Sequence, residues 1–186
     1  TGVLTTTSRF DPAAVGDYKM EKDIVKLTKT YPFPKLATTG ATAFTSEAEI
    51  IRQAADDANK RVKVTTADAK NVFADIASGD PAKMPTVVDT RKPEDYAKGH
   101  IPGAFNIQQA ELLKADNLNK LPPDKPIVLV DYIGSESHIG AMVLRMLGYD
   151  ASSLRWGMMA WTKDDTALGP YKRYGEVQQR DFKLVK

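Results

Sequence analysis

A continuous apolar run, followed by a short polar loop and a helical pattern, is the feature that most constrains the fold of this chain. The run, residues 127–130, is the most apolar in the sequence, as is typical of a strand buried on both faces of a parallel sheet. Residues 131–136 predict a tight loop into a helix that begins at Ser137 and ends at Gly148. The apolar face predicted for that helix carries Ile139, Met142, Val143, Met146 and Leu147.

The same alternation of strand and helix patterns occurs earlier in the chain. Residues 62–64 predict a short strand, and Thr65 or Thr66 is the expected cap of the next helix, which ends at residues 78–81. Residues 86–89 predict a second buried strand, and Pro93 marks a helix start, where its missing N–H group costs nothing. The apolar face of the helix after Thr66 carries Ala69, Val72, Phe73 and Ile76. We therefore predict an α/β fold, a parallel central sheet with helices on both faces.

Two further segments flank the predicted α/β domain, which we place at residues 61–165. Residues 1–60 form an N-terminal extension with one or two helices, because Ser46 and Glu49 make a capping-box pattern that opens a helix. Residues 166–186 form a C-terminal tail that packs back on the domain or offers a partner surface, and residues 178–186 alternate loosely, as an edge strand would. A shorter helical pattern in the extension comprises Met20, Ile24, Val25 and Leu27.

Composition excludes several classes of function. The chain has 26 basic and 24 acidic residues, interspersed, with a net charge of +2, so no basic stripe predicts nucleic-acid binding. No apolar run is long enough to cross a bilayer. Because the chain has no cysteine, disulfides, thiolate metal sites and cysteine nucleophiles are excluded. The first residue is Thr1, which a removed export signal or a trimmed tag explains, and we expect an exported protein, periplasmic or extracellular.

Four stretches resemble the rhodanese-like (sulfurtransferase) family, in that family's order and spacing. Residues 131–137 align with its active-site loop, Cys-x-x-Gly-x-Arg-Ser, in which Gly134 and Ser137 match. Residues 89–104 are similar to the signature Asp-x-Arg…Glu-(Phe/Tyr)-x-x-Gly-His-Ile-Pro-Gly-Ala. Residues 147–149 resemble the family's Leu-Gly-Tyr, and residues 157–161 resemble its closing element, which ends in tryptophan.

The resemblance implies a rhodanese-like fold for residues 62–161 and structural roles for most of the signature. Asp89 and Arg91 are expected to pair with each other. His100 is expected to support the fold rather than to act as a base, and Trp161 to lie in the core.

Two positions depart from the family's loop. In the family, the loop amides and the helix N-terminus point at the cysteine sulfur and form an anion cradle. Asp131 takes the cysteine's position, and its carboxylate oxygens are expected to accept these N–H bonds. Glu136 takes the arginine's position, and it repels an oxyanion such as thiosulfate by an energy on the order of 1 kcal/mol in a solvated site. Thiosulfate sulfurtransferase activity is therefore not expected.

A cation site or a different reaction is the alternative use of this loop. Asp131, Glu136 and His138 offer oxygen and nitrogen donors to a cation, but their spacing matches no metal motif. Asp131 as an aspartyl-phosphate nucleophile, or as an acid or base, is the enzymatic alternative. The chain has no arginine in the loop and no evident magnesium constellation to support such chemistry.

The remaining loop residues have simpler expected roles. Ser135 and Ser137 are conceivable nucleophiles without an identifiable base, and Ser137 is expected to cap the helix. Tyr132 and Ile133 are expected at the exposed crest of the loop, where an aromatic side chain suits a partner surface.

The sequence thus predicts a catalytically silent rhodanese-like domain that serves as a binding or structural module. No catalytic residue, metal or cofactor is expected, and a protein partner would bind through the Tyr132 loop or the tail; the oligomeric state is not fixed. The alternative is an enzyme or cation-binding protein of another class that reuses the pocket through Asp131. A third possibility, replacement of a native cysteine at position 131, is disfavoured because the arginine at position 136 is missing as well.

Overall fold

A five-stranded parallel sheet is the centre of the molecule. The computed structural model describes residues 15–34, 46–61 and 66–173. The sheet order is β1-β5-β4-β2-β3, and every neighbouring pair is parallel. The strands are β1 (Thr66–Ala67), β2 (Thr86–Asp89), β3 (Phe105–Asn106), β4 (Ile127–Val130) and β5 (Ala151–Leu154). The predicted parallel α/β sheet is confirmed.

Helices cover both faces of this sheet, as predicted. They are α1 (Glu47–Arg61), α2 (Ala69–Ala77), α3 (Pro93–Tyr96), α4 (Ala115–Leu118), α5 (Glu136–Met146) and α6 (Gly157–Trp161), with 3-10 turns at Gln109–Glu111 and Asp165–Leu168. Successive residues of β4 belong to two different core clusters: Leu129 packs with α5, and Val130 packs with α2 and α6. None of the helices in these ranges has the length and apolar character that a bilayer-spanning helix needs.

Two strand predictions and two helix-start predictions are confirmed. Strands β2 and β4 have the predicted bounds, Pro93 begins α3, and the Ser46 hydroxyl accepts a hydrogen bond from the Glu49 N–H group at 3.3 Å. The expected cap at Thr65 or Thr66 is wrong, because Thr66 belongs to β1 and Asp68 is the N-cap of α2. The strand predicted at residues 62–64 and the edge strand predicted at residues 178–186 lie outside the described residues.

Helix α5 packs on the sheet through a different face from the predicted one. Its buried residues include Ser137, Gly140, Ala141 and Leu144, whereas Ile139 and Met142 are more than half exposed. A Cβ atom at Gly140 would lie only 2.9 Å from Leu112 and 3.0 Å from Leu129. Small residues therefore bring α5 close to the sheet, and its larger apolar side chains point away from the sheet. Helix α5 also contacts α1.

An N-terminal strap, residues 15–34, crosses the domain without forming a helix, so the helical pattern from Met20 to Leu27 was wrongly interpreted. The Gly16 and Tyr18 N–H groups donate to Ala160 and Trp161 carbonyls at 2.9 and 3.0 Å, and Glu21 bridges to His100. The Tyr18 ring lies between Phe73 and Trp161, with centroids at 4.5 and 5.0 Å. Trp161 is fully buried, as predicted.

The signature residues Asp89, Arg91 and His100 hold the fold together. The guanidinium of Arg91 pairs with Asp89 at 2.6 Å, and both side chains are at most 1% exposed; Arg91 also donates to the carbonyls of Gly99 and Ala167 at 2.8 Å. His100 is fully buried, its ring is stacked on Tyr96 at 3.7 Å, and its Nδ1 is bonded to the Tyr96 carbonyl. The expected structural pairing of Asp89 with Arg91 is confirmed.

Candidate functional site

The Asp131 loop, residues 131–135, connects β4 to α5 at the carboxyl end of the sheet. Asp131 is 2% exposed. Its Oδ1 accepts a hydrogen bond from the Gly134 N–H group, and its Oδ2 accepts from Glu136 at 2.7 Å and Ser137 at 3.1 Å. The loop amides therefore surround a carboxylate that belongs to the chain itself, and the expected hydrogen bonds to Asp131 are confirmed.

Two glycines let the chain close around this carboxylate. Gly134 has φ +90, and a Cβ atom there would lie 2.8 Å from the Trp156 nitrogen. Gly157 has φ +53, and a Cβ atom there would lie 2.8 Å from Asp131 Oδ1. The first turn of α6 is bonded to the loop, since the Met158 N–H group donates to the Asp131 carbonyl at 2.9 Å. The match of Gly134 to the family loop thus has a steric cause.

Ser137 does not cap α5. The helix begins at Glu136, with Ser135 at the N-cap position and no hydrogen bond from the Ser135 side chain to the helix. Asp131 accepts the first-turn N–H groups from outside the helix, so these groups leave no role for a serine cap. The Ser137 hydroxyl is fully buried and has no hydrogen-bond partner among the residues that the structure describes.

Tyr132 points inward, so its expected place at the exposed crest is wrong. The side chain is 7% exposed; its hydroxyl donates to Asp95 Oδ2 at 2.7 Å and accepts from the Lys92 N–H group at 3.2 Å. Burial, with the hydrogen bond to Asp95, raises the pKa of Tyr132 to about 12. Gly169 leaves the space that the phenol ring needs, since a Cβ atom there would lie 2.6 Å from it.

Asp95 completes this buried pair. Burial acts to raise the pKa of Asp95, but hydrogen bonds from Lys98 and Tyr132 outweigh burial, and the pKa lies below its ordinary value. Lys98 Nζ lies 2.6 Å from Asp95 Oδ1. The charged carboxylate and the neutral phenol therefore stabilise each other and fix the direction of Tyr132.

The three candidate cation ligands do not converge. Asp131 is buried and bonded to amides, whereas Glu136 and His138 are exposed. His138 Nδ1 lies 3.1 Å from the hydroxyl of the buried Ser153, rather than near Asp131. Across the described part of the chain, no three histidine, aspartate or glutamate side chains are grouped as a metal site would require.

An open cleft of ≈ 350 Å³ lies on the outer side of the loop, and sequence reasoning missed it. Ile133 and Trp156 supply much of its apolar lining. Trp156 has a positive φ of 64°, which no other non-glycine residue in the described part of the chain has. Such a conformation costs on the order of 1–3 kcal/mol. Residues from β1, the loop and the end of β5 line the cleft, so no single sequence motif predicts it.

Comparison with known proteins finds one matching family and several relatives of known sequence. Residues 68–164 match the sequence model of the family described as the rhodanese-like domain. The chain is 37% identical over 81 residues to the thiosulfate sulfurtransferase GlpE of Shewanella oneidensis, covering 43% of this chain and 78% of that protein. It is 34% identical over 85 residues to the uncharacterized protein YibN of Escherichia coli K12, covering 44% of this chain and 59% of YibN.

A solved structure is also similar to part of the chain. The rhodanese-like domain protein of Staphylococcus aureus is 26% identical, with a TM-score of 0.48, over 54% of this chain and 94% of that one. The chain thus spans under two thirds of the length of YibN and nearly all of the Staphylococcus protein.

Proposed function

Because this chain belongs to the rhodanese-like domain family yet carries Asp131 where the family's loop has cysteine, we propose that it is a catalytically silent member. Its role in this proposal is that of a binding or structural module for another protein. The observation that carries the proposal is the Asp131 carboxylate, which accepts three N–H groups of its own loop.

The missing nucleophile is the first support. Sulfur transfer in this family needs a thiolate that attacks the sulfur donor and holds the sulfur as a persulfide. The chain has no cysteine at any of its 186 positions. A carboxylate oxygen is a poor nucleophile toward sulfur, and Asp131 Oδ1 and Oδ2 are already bonded to amides.

The occupied cradle is the second support. Loop amides that would stabilise an incoming anion are satisfied by Asp131 instead. An external anion would have to displace a buried carboxylate that cannot leave the chain. Glu136, exposed at the start of α5, adds a second negative charge beside the loop. Both features disfavour thiosulfate as a ligand.

The alternative of an enzyme or a cation-binding protein that uses Asp131 gains less support. An acid, base or metal ligand needs an oxygen that a substrate or ion can reach, and Asp131 is 2% exposed. His138 is paired with Ser153, and neither residue contacts Asp131 through a hydrogen bond in the described part of the chain.

A thiosulfate:cyanide assay of the full chain tests the proposal. We expect thiocyanate formation no faster than with a heat-denatured sample, with the Shewanella oneidensis GlpE protein as the positive control. Turnover clearly above the denatured sample would overturn the silent assignment. A saturable calorimetric response to magnesium, calcium or zinc that Asp131→Ala abolishes would instead favour the cation alternative.

An exported location is part of this proposal, and the chain has no cysteine that an oxidising compartment could oxidise. Fractionation of the native source with an antibody against the chain tests this location, and recovery from the cytoplasm alone would contradict it.

A further inference from the structure

The cleft beside the Asp131 loop has the composition of a recognition site. Its volume, ≈ 350 Å³, lies at the lower end of the range of about 300–1,000 Å³ that is usual for ligand pockets. Its lining is mainly apolar, with Ile133 and Trp156 as the large side chains, and Thr66, Ser135 and Ser153 also line it. Asp131 does not line this cleft, so an occupant would not need to displace the buried carboxylate.

Trp156 is fixed in place as an aromatic wall of the cleft. Its backbone is in the left-handed region, φ 64, and lies so close to Gly134 that a Cβ atom there would be 2.8 Å from the Trp156 nitrogen. The side chain is half-buried and packs on the core cluster that contains Trp161 and Met158. A rigid, partly exposed tryptophan is the type of residue that anchors a protein partner, because little side-chain entropy is lost on binding.

Arg155 places a positive charge at the rim. Its Nε lies 3.4 Å from Asp68 Oδ1, and its Nη2 donates a hydrogen bond to the Thr66 hydroxyl at 3.3 Å. The side chains of Arg155 and Asp68 are 45% and 53% exposed, and an ion pair this exposed contributes little. A ligand carboxylate can therefore pair with Arg155 beside Asp68 or in its place. A guanidinium binds a carboxylate through two parallel N–H groups.

The position of the cleft favours an extended peptide over a small molecule. Thr66 lies in β1, which is at the edge of the sheet, and the cleft is open on one side. A chain can therefore run past the sheet edge while one side chain enters the cleft.

We propose that this cleft binds an extended segment of a partner protein in which an aromatic or branched aliphatic residue stands next to an aspartate or glutamate. The apolar side chain lies against Trp156 and Ile133, and the carboxylate pairs with Arg155. This inference rests on the proposed function, since it identifies the surface by which the silent module recognises its partner.

Peptide selection on the full chain tests this inference. A random heptapeptide display library is selected against the immobilised protein, and the enriched peptides are measured individually by fluorescence anisotropy. We expect enrichment of an apolar residue beside an acidic one, and at least tenfold weaker binding when that acidic residue is changed to lysine. No enrichment over a blank surface, or enriched peptides without an acidic residue, would overturn the inference.

Three variants locate the binding. Arg155→Glu should weaken the selected peptides at least tenfold and improve binding of their lysine versions. Trp156→Gly, which the positive φ tolerates, should also weaken them at least tenfold. Lys83→Glu reverses an exposed charge elsewhere on the surface and should leave binding unchanged. Unfolding midpoints measured for each variant establish that the fold is retained.

The outcomes separate this inference from the proposed function. Peptide binding that is equal in the original chain and in both cleft variants would overturn the cleft assignment. An absence of thiocyanate formation would in that case still support the proposed function as a catalytically silent module. Thiocyanate formation in that assay would overturn the silent assignment, whatever the peptides do.

Discussion

Gly157 lies so close to Asp131 that a Cβ atom at position 157 would be 2.8 Å from the carboxylate oxygen Oδ1 and closer still to the backbone carbonyl. The N–H group of the next residue, Met158, donates to that carbonyl at 2.9 Å. The closing element of the domain and the altered loop are therefore one packed unit. A change in the backbone of the loop would therefore disturb the start of α6, and the reverse also holds.

Gly157→Ala should lower the free energy of unfolding by about 3 kcal/mol or more, because left-handed strain of about 1–2 kcal/mol adds to a steric clash with Asp131. Gly79→Ala is the matched control. Gly79 has φ +65 with no atom within 4 Å of a Cβ, so only the strain remains. Urea denaturation measures both variants, and equal losses would contradict the close contact.

Asp131→Ala should cost about 3 kcal/mol of folding free energy, because the N–H groups of Gly134, Glu136 and Ser137 lose their acceptor. The exposed Glu136→Gln change should cost less than about 1 kcal/mol. Chemical denaturation of the two variants checks this. A loss at Asp131 no larger than that at Glu136 would show that the carboxylate is not needed by the loop.

Asp131→Cys alone should not restore rapid sulfur transfer from thiosulfate, because Glu136 still repels the donor. Adding Glu136→Arg removes about 1 kcal/mol of repulsion and adds a similar attraction, which together correspond to about ten- to thirtyfold in rate. Initial rates of thiocyanate formation compare the single and double variants. Fast turnover by the single variant would mean that the charge of Glu136 matters little.

Stability should fall between pH 10 and about 12 through Tyr132. Its pKa in the folded protein is raised from 10 to about 12, so the neutral phenol stabilises the fold below pH 10, and this contribution is lost as the pH rises to 12. The difference corresponds to about 2–3 kcal/mol. Tyr132→Phe should make the loss smaller, whereas the half-exposed Tyr171→Phe should not. Unfolding followed at pH 9, 10, 11 and 12 tests the slope.

Arg91→Ala should destabilise the protein by about 3–5 kcal/mol, since it leaves the buried Asp89 carboxylate without its partner. Lys83→Ala breaks an exposed pair with Asp80 at 3.9 Å and should cost less than about 1 kcal/mol. Thermal and urea unfolding give both values. Similar small losses would mean that Asp89 remains solvated when Arg91 is removed.

The two central strands β2 and β4 could be predicted from sequence because they are apolar runs, whereas the short or polar strands β1, β3 and β5 could not. Strands β2 and β4, the start of α3 and the hydrogen bonding of Asp131 all follow from local pattern or from the family's loop. The buried face of α5 could not be predicted, because it consists largely of small residues around Gly140, and a search for large apolar side chains does not detect such a face. Hydrophobicity identifies which side chains can be buried, and tertiary packing decides which ones are.

Long-range contacts account for the other errors. Tyr132 turns inward because Asp95 and Lys92, nearly forty residues earlier, supply its hydrogen bonds. The apolar residues between Met20 and Leu27 have helical spacing but lie along an extended strap: Met20 packs at Gly99, and Val25 and Leu27 pack on the second core cluster. The cleft at Trp156 combines three separate segments, so no local pattern contains it.

The strap sets a minimum length for any fragment intended to fold independently. A truncated gene product starting at Thr66 would keep every strand of the sheet but would lose the strap's contacts with Trp161, Phe73 and His100. Water would then have access to Trp161 and His100, which are fully buried in the intact chain. A product that starts at Thr66 should therefore aggregate more readily than one that keeps residues 15–34.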